Sequence, residues 1–185
     1  FLSILYRGLK RKLGYDTGQI RAIFLTHFHS DHVDGLYHFP NTKIYASKVA
    51  YDFAVSPKGE SIGYLKKNFP DWFQPLLFEF DDDIEETFGS CKKMTDDGSI
   101  VAVPLPGHSI GHTAYIIKSK NNRYICSGDA TFDKTTLQDG ISFVIFNSKT
   151  AEDSVSKLQD YTLSPDVAVL CSHDPSAPDI LNING

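Results

Sequence analysis

The spacing of apolar residues along this chain alternates between a helical and a strand period, which predicts an α/β protein. Residues 1–13 carry apolar side chains at positions 1, 2, 4, 5, 9 and 13 with basic residues between them, and Gly14 follows, which is the pattern of an amphipathic helix. Short apolar runs of strand character occur at 20–26, 43–46, 100–103, 113–118, 123–127 and 167–171. Helical spacing returns at 31–39, which Pro40 ends, and at 152–161. A length of 185 residues suits one domain with a sizeable core, and the sequence has no internal repeat, so residues 1–185 are predicted to form a single domain.

The segment 49–99 differs in composition from the rest of the chain. Aromatic residues and prolines crowd its first part, at positions 51, 53, 57, 64, 69, 70, 72, 73, 75, 78 and 80. An acidic run, Asp-Asp-Asp-Ile-Glu-Glu, follows at 81–86. We interpret the segment as an aromatic-rich lid or subdomain followed by a solvated acidic loop. As a lid it would recognise an apolar substrate tail, since pockets rich in aromatic residues bind small ligands.

Charge and cysteine content narrow the function classes. The 18 basic and 23 acidic residues give a net charge of −5, so the chain lacks the basic footprint of a nucleic-acid-binding protein. The three cysteines are widely spaced and odd in number, which disfavours a disulfide framework and favours a reducing, cytoplasmic location. Cys126 and Cys171 lie in apolar runs and are predicted to be small core residues. No apolar run has the length of a transmembrane helix, so no membrane partner is expected.

Potential metal ligands are concentrated in the run Thr-His-Phe-His-Ser-Asp-His at 26–32. The run supplies four strong ligands, which are His27, His29, Asp31 and His32. Three further candidates follow on separate turns marked by glycine or serine, namely His108, Asp129 and His173. Imidazoles crowded in this way would repel one another on protonation, which favours a metal over an ordinary surface role. Nitrogen and oxygen ligands suit zinc, and manganese, iron or cobalt would accept the same set.

Seven ligands are too many for one tetrahedral site and predict a centre with two metal ions. One metal is assigned the three histidines His27, His29 and His108. The other is assigned Asp31, His32 and His173, with Asp129 as the bridge between both. Such a pair of metals holds a bridging hydroxide that attacks a substrate carbonyl at neutral pH. Asp31 is the candidate for passing a proton to the leaving group.

Four other polar residues have weaker assignments. His38 has no motif context and is expected to be an ordinary histidine of the surface or core. His112 is predicted to support the centre from outside, through a hydrogen bond to a ligating carboxylate or to a backbone carbonyl. Asp34 and Asp174 lie beside ligands and are predicted either to orient imidazole rings or to be exposed.

Five motifs together resemble the metallo-β-lactamase superfamily, over nearly the whole chain from about Leu9 to Asp174. They are the segment 13–16, the run 26–32, Pro-Gly-His-Ser-Ile-Gly-His-Thr at 106–113, Ser-Gly-Asp-Ala at 127–130 and Ser-His-Asp at 172–174. The resemblance implies an αββα sandwich with the metals at one edge between the sheets, and the same seven ligands. Within the superfamily, the chain is most similar to the N-acyl homoserine lactonase and glyoxalase II-like group. Phe132 departs from that group, which often carries a tyrosine there to hydrogen-bond the substrate carbonyl; we assign it to substrate binding.

The predicted function is metal-dependent hydrolysis of a small ester, lactone or thioester, with a small molecule as the partner. A phosphodiesterase or nuclease with the same two-metal centre is the enzymatic alternative, and the net charge of −5 counts against it. The other alternative is a non-catalytic fragment that binds metal without turnover.

The beginning of the chain departs from the family pattern. Members normally open with several β-strands that end in an Asp-Thr-Gly turn, whereas this chain begins at Phe1 and enters the predicted helix directly. Its own Asp-Thr-Gly at 16–18 lies too close to the histidine run and is interpreted as a helix N-cap or a loop. We therefore expect a sandwich without its opening strands, and a homo-oligomer that covers the open sheet edge.

Overall fold

The structure is a computed structural model that describes residues 14–183 apart from 63, 65 and 145. The helix expected at residues 1–13 lies outside the described residues. The chain divides into two compact units, Phe1–Phe78 and Glu79–Gly185, which we call the first and the second unit. In the described residues, the first unit contains a three-stranded sheet and the second unit a six-stranded sheet.

The sheet of the first unit is parallel, in the order β1–β2–β3. Its strands are β1 (Ala22–Phe24), β2 (Lys43–Ser47) and β3 (Leu76–Phe78). Strand β1 is shorter than the apolar run at 20–26, because only its central residues pair with β2. The Leu25 N–H adds one more bond, to the Tyr45 carbonyl at 2.9 Å, and the histidine run begins directly after it.

Short helices connect these strands. They are α1 (Ser30–Val33), α2 (Lys48–Ala54) and α3 (Pro57–Ser61), with 3-10 turns at Thr17–Gln19, Leu36–His38 and Lys66–Asn68. The single helix expected over 31–39 is instead split by Gly35, since a glycine weakens a helix interior by about 1 kcal/mol relative to alanine. Asp16 caps the first 3-10 turn by accepting the Gly18 N–H at 3.2 Å, which confirms the N-cap interpretation.

The sheet of the second unit runs in the order β4 to β9 and is antiparallel except for the parallel pair β8–β9. Its strands are β4 (Asp82–Glu85), β5 (Gly89–Lys93), β6 (Ile100–Pro104), β7 (Thr113–Lys118), β8 (Arg123–Gly128) and β9 (Val167–Cys171). Strands β7 and β8 form a hairpin, closed by a hydrogen bond from the Ser119 N–H to the Asn122 carbonyl at 2.8 Å. Because β8 and β9 are parallel, both end at the same edge of the sheet.

The acidic run at 81–86 is not the solvated loop that we expected, since Asp82–Glu85 forms strand β4. Lysines of two other strands of the sheet, β5 and β7, supply the opposite charges. Lys92 Nζ lies 2.6 Å from Asp81 Oδ1, and Lys118 Nζ lies 2.6 Å from Glu85 Oε1. These ion pairs let an acidic segment pair in a sheet, which its own sequence disfavours.

Three helices belong to the described part of the second unit: α4 (Lys134–Gln138), α5 (Ser148–Tyr161) and α6 (Ala177–Ile183). Helix α5 starts earlier than the expected position 152, because the Asn147 side chain accepts the Thr150 N–H at 2.9 Å and caps it. It buries Ala151, Val155 and Leu158 at helical spacing. Across the ranges that the structure covers, every helix is too short or too polar to span a lipid bilayer.

Candidate metal site

The histidine run of the first unit gathers four of the expected ligands. Helix α1 begins at Ser30 and places Asp31 and His32 in its only turn. The His27 ring centroid lies 4.1 Å from that of His32 and 4.6 Å from that of His29. Asp31 Oδ2 lies 3.5 Å from His32 Nε2. Three imidazoles therefore meet around His27, with one carboxylate beside them.

Phe28 anchors this run between two of the ligands. Its side chain is 1% exposed and packs against Tyr51 and Phe69, with ring centroids 5.8 Å away in both cases. Successive side chains of an extended chain point to opposite sides. Burying Phe28 therefore turns His27 and His29 together toward the other side.

Two neighbouring side chains restrict the imidazoles further. Thr26 Oγ1 lies 3.1 Å from His27 Nδ1, which leaves Nε2 as the nitrogen that can bind a metal. The Tyr64 ring stacks on His29, with centroids 4.8 Å apart and 23° between the planes. An aromatic residue of the segment 49–99 thus supports one of the candidate ligands.

The second unit carries its three expected ligands on turns that follow strands: His108 after β6, Asp129 after β8 and His173 after β9. Asp129 is only 2% exposed. Its Oδ2 lies 3.5 Å from His108 Nε2 and 3.3 Å from His173 Nε2. The structure therefore brings these three residues together, with one carboxylate oxygen between two imidazoles.

Gly107 allows the His108 turn to lie directly against α5. Its φ is +131°, a value that residues with a side chain rarely adopt. A Cβ at this position would lie 2.3 Å from Ala151 Cα. The Gly107 carbonyl also accepts hydrogen bonds from the N–H groups of Phe146 and Asn147, at 3.3 and 3.0 Å. This glycine is therefore required by the close approach of the two segments.

His112 supports Asp129 through the backbone. Its buried Nε2 accepts a hydrogen bond from the Asp129 N–H at 3.1 Å. We expected a carboxylate or a carbonyl as the partner of His112, but the partner is the backbone N–H of Asp129. This N–H is available because Gly128, with φ +58°, ends β8, so the Asp129 N–H lies outside the hydrogen-bond ladder of the sheet. As an acceptor, Nε2 carries no proton, so His112 is neutral with its proton on Nδ1.

Asp174 orders the loop that carries His173. Its carboxylate accepts the N–H of Lys134 at 3.2 Å and both the N–H and the hydroxyl of Ser176, at 2.8 and 2.6 Å. These bonds join the loop after β9 to the start of α4. Of the remaining candidates, Asp34 is exposed and His38 is half-buried.

Phe143 contacts a candidate ligand in a way that the sequence does not reveal. His108 Nδ1 donates a hydrogen bond to the Phe143 carbonyl at 2.9 Å, across 35 residues of chain. Every residue has a backbone carbonyl, so no sequence signal distinguishes this one.

The donor atoms of both units suit a divalent first-row metal, since they are imidazole nitrogens and carboxylate oxygens. His27, His32 and His108 are buried, so the surrounding protein holds their rings in place. Cys171 precedes His173 by two positions, and burial raises the pKa of its thiol to about 11. All three cysteines are free, as expected.

The family model described as "Metallo-beta-lactamase superfamily" matches residues 4–173. The chain belongs to this superfamily. A relative, the probable metallo-hydrolase Rv2300c of Mycobacterium tuberculosis, is 29% identical over 182 residues, covering 89% of this chain and 58% of that protein. The N-acyl homoserine lactonase AttM of Agrobacterium fabrum is 25% identical, covering 90% of this chain and 63% of that protein. The chain thus spans less than two thirds of the length of these relatives.

The solved structure of an N-acyl homoserine lactone hydrolase, with N-hexanoyl-L-homoserine bound at its catalytic metal centre, is similar to this chain with a TM-score of 0.73. The two are 22% identical, and the match covers 95% of this chain and 64% of the other. At this identity the likeness concerns the fold. It confirms the expected α/β metallo-β-lactamase fold class, and the family match confirms the resemblance carried by the motifs.

Proposed function

We propose that this protein is a metal-dependent hydrolase with two metal ions, acting on the carbonyl group of a small ester, lactone or thioester. The proposal rests on the position of Asp129. Its Oδ2 lies 3.5 Å from Nε2 of His108 and 3.3 Å from Nε2 of His173. A carboxylate between two imidazole groups suits a bridge between metals, whereas a structural zinc site closes four ligands around one ion. Membership of the superfamily and the names of the relatives support the same class of chemistry.

The metals would be held by all seven ligands. We assign one metal to His27, His29 and His108 and the other to Asp31, His32 and His173, with Asp129 shared. The number and type of donors support this assignment, because seven imidazole and carboxylate donors are too many for one tetrahedral site. Zinc is the proposed metal, since it accepts imidazole and carboxylate donors without needing a thiolate, and manganese, iron or cobalt would accept the same donors.

When bound, two divalent metals in such a centre lower the pKa of water and act as Lewis acids toward a carbonyl oxygen. The remaining steps fall to the chain's own residues. The Asp31 side chain is 48% exposed, so its carboxylate can exchange protons and deliver one to the leaving oxygen. Asp129 is held in place by the bond from its N–H to His112 at 3.1 Å.

Phe132 offers an apolar surface beside the ligands. Its ring is 45% exposed and lies parallel to the His173 imidazole, with centroids 5.2 Å apart and 11° between the planes. A phenyl ring can pack against an apolar part of a substrate, but it has no hydroxyl to donate to a carbonyl. Together with the lactonase relatives, this surface makes N-acyl homoserine lactones the first substrates to test.

Hydrolysis of N-hexanoyl homoserine lactone, followed as acid release in a pH-stat, tests the proposal. A glutathione thioester and bis(p-nitrophenyl) phosphate are assayed in parallel on the same metal-loaded sample. We expect turnover of the lactone or the thioester that a chelator abolishes and zinc restores. Turnover of the phosphodiester alone would assign the protein to the phosphodiesterase alternative. No turnover of any substrate by protein with two bound metals would contradict the hydrolase proposal.

A further inference from the structure

Phe143 lies in the irregular segment between α4 and α5, outside every motif of the chain. Its backbone joins two ligand segments of the second unit. The Phe143 N–H donates to the carbonyl of Ala130, the residue after Asp129, at 3.2 Å. The Phe143 carbonyl accepts from His108 Nδ1 at 2.9 Å. This residue is therefore bonded both to the turn of the carboxylate and to one imidazole.

The hydrogen bond to His108 also selects the metal-binding nitrogen. Because the carbonyl can only accept, His108 carries its proton on Nδ1. That leaves Nε2, 3.5 Å from Asp129 Oδ2, as the nitrogen that can coordinate. A ligating histidine commonly depends on such an outer partner to fix its tautomer and its ring orientation.

The Phe143 ring completes the arrangement. Its centroid lies 4.9 Å from the His108 ring and 6.5 Å from the His173 ring, which it meets edge-on at 90°. The Phe132 ring, which stacks on His173, also meets the Phe143 ring edge-on, with centroids 6.0 Å apart and 82° between the planes. Edge-to-face contacts at these distances are favourable and directional. The ring therefore restricts the rotation of both imidazoles.

We propose that Phe143 is a positioning residue that holds His108 and His173 in the orientation in which both face Asp129. The inference rests on the metal centre proposed above and adds a residue that contacts each of the three ligand segments of the second unit. Phe143 does not itself ligate a metal. It acts by limiting how far the imidazoles turn, so its loss should weaken metal binding.

Titration of metal-free protein with Co²⁺, followed by its visible absorption, tests this role apart from turnover. Phe143→Leu removes the ring and keeps both backbone bonds. We expect it to weaken Co²⁺ binding about 10-fold, the lower end of the range for losing an outer partner of a ligand, because the hydrogen bond to His108 remains, and to shift the absorption bands. Phe143→Tyr restores a ring and should return the wild-type spectrum and affinity.

Phe88→Leu is the matched control, because it is the same change within the same unit. Phe88 is 2% exposed and packs on Tyr161, with ring centroids 5.0 Å apart. We expect it to lower the melting temperature more than Phe143→Leu does and to leave Co²⁺ affinity unchanged. Wild-type affinity and spectrum in Phe143→Leu, or an equal loss of affinity in Phe88→Leu, would overturn the inference. A wild-type protein that binds no Co²⁺ would instead overturn the proposed metal centre, and the inference with it.

Discussion

Replacing Gly107 with alanine should destabilise the protein through two separate effects. The first is conformational, because a side chain at φ +131° is strained. The second is steric, since the new Cβ would lie 2.3 Å from Ala151 Cα and 2.4 Å from Ala151 N. Both atoms belong to the backbone of α5, so neither can move as the end of a flexible side chain could.

The magnitude follows from these two terms. Holding a residue in a sparsely populated region of backbone conformation costs about 1–3 kcal/mol. Forcing extra atoms into a close-packed contact costs about 1–3 kcal/mol more. The sum, about 2–6 kcal/mol, is a large part of the roughly 5–15 kcal/mol that stabilises a typical domain. At about 2–4 °C per kcal/mol for a chain of this size, the melting temperature should fall by roughly 4–24 °C.

Gly98→Ala separates the two effects. Gly98 has φ +69°, and no atom lies within 4 Å of a Cβ built there. Its substitution should therefore cost only the backbone term, about 1–2 kcal/mol. Urea unfolding of the metal-free proteins, followed by circular dichroism, measures both losses without the stabilisation that bound metal adds. Equal losses for the two variants would refute the close approach of the His108 turn to α5.

Two further predictions concern the ligands and a charge pair of the second unit. His108→Ala should lower kcat/KM for the hydrolysed substrate more than ~100-fold, since losing an outer partner of a ligand already costs up to that much. His38→Ala, at a half-buried histidine, should leave kcat/KM unchanged. Comparable rates in both variants would refute the ligand assignment. Arg123 donates to both oxygens of Asp166, at 2.8 and 3.0 Å, and holds the pKa of that carboxyl well below its usual range. A lowered folded-state pKa adds stability that is complete above about pH 5, one unit above the unfolded-state pKa of about 4, and is lost as the pH falls through the folded-state value. The difference in unfolding free energy between the wild type and Asp166→Asn should therefore shrink between pH 5 and pH 2 in urea titrations, and a difference that stays constant would contradict this.

The sequence predicts where the candidate ligands lie, because each of their turns follows a recognisable apolar strand. Strand β9 ends at Cys171, two residues before His173, and β8 ends at Gly128, directly before Asp129. Parallel neighbours end at one sheet edge, so ligands that follow them converge. The bounds of β7 and β9 agree with the apolar runs at 113–118 and 167–171, since both strands are mostly apolar and carry at most one charged residue.

Features that depend on the backbone or on distant charges are not readable in this way. The Phe143 carbonyl that accepts the hydrogen bond from His108 is a backbone group that every residue has, so the sequence does not mark it, and the two residues are 35 positions apart. Strand β4 carries an acidic sequence and needs Lys92 and Lys118 from other strands to balance it. The start of α5 depends on a single capping residue, Asn147, and the spacing of hydrophobic residues does not predict a cap.

The number of metal ions bound per chain distinguishes a two-metal centre from a single site. Protein reconstituted with zinc and dialysed against metal-free buffer is analysed for elemental zinc, beside His173→Ala as the variant that lacks one ligand of the second metal. The proposed centre predicts close to two zinc ions per wild-type chain and close to one in the variant, because seven donors exceed one tetrahedral site. A wild-type value of one or zero would contradict it.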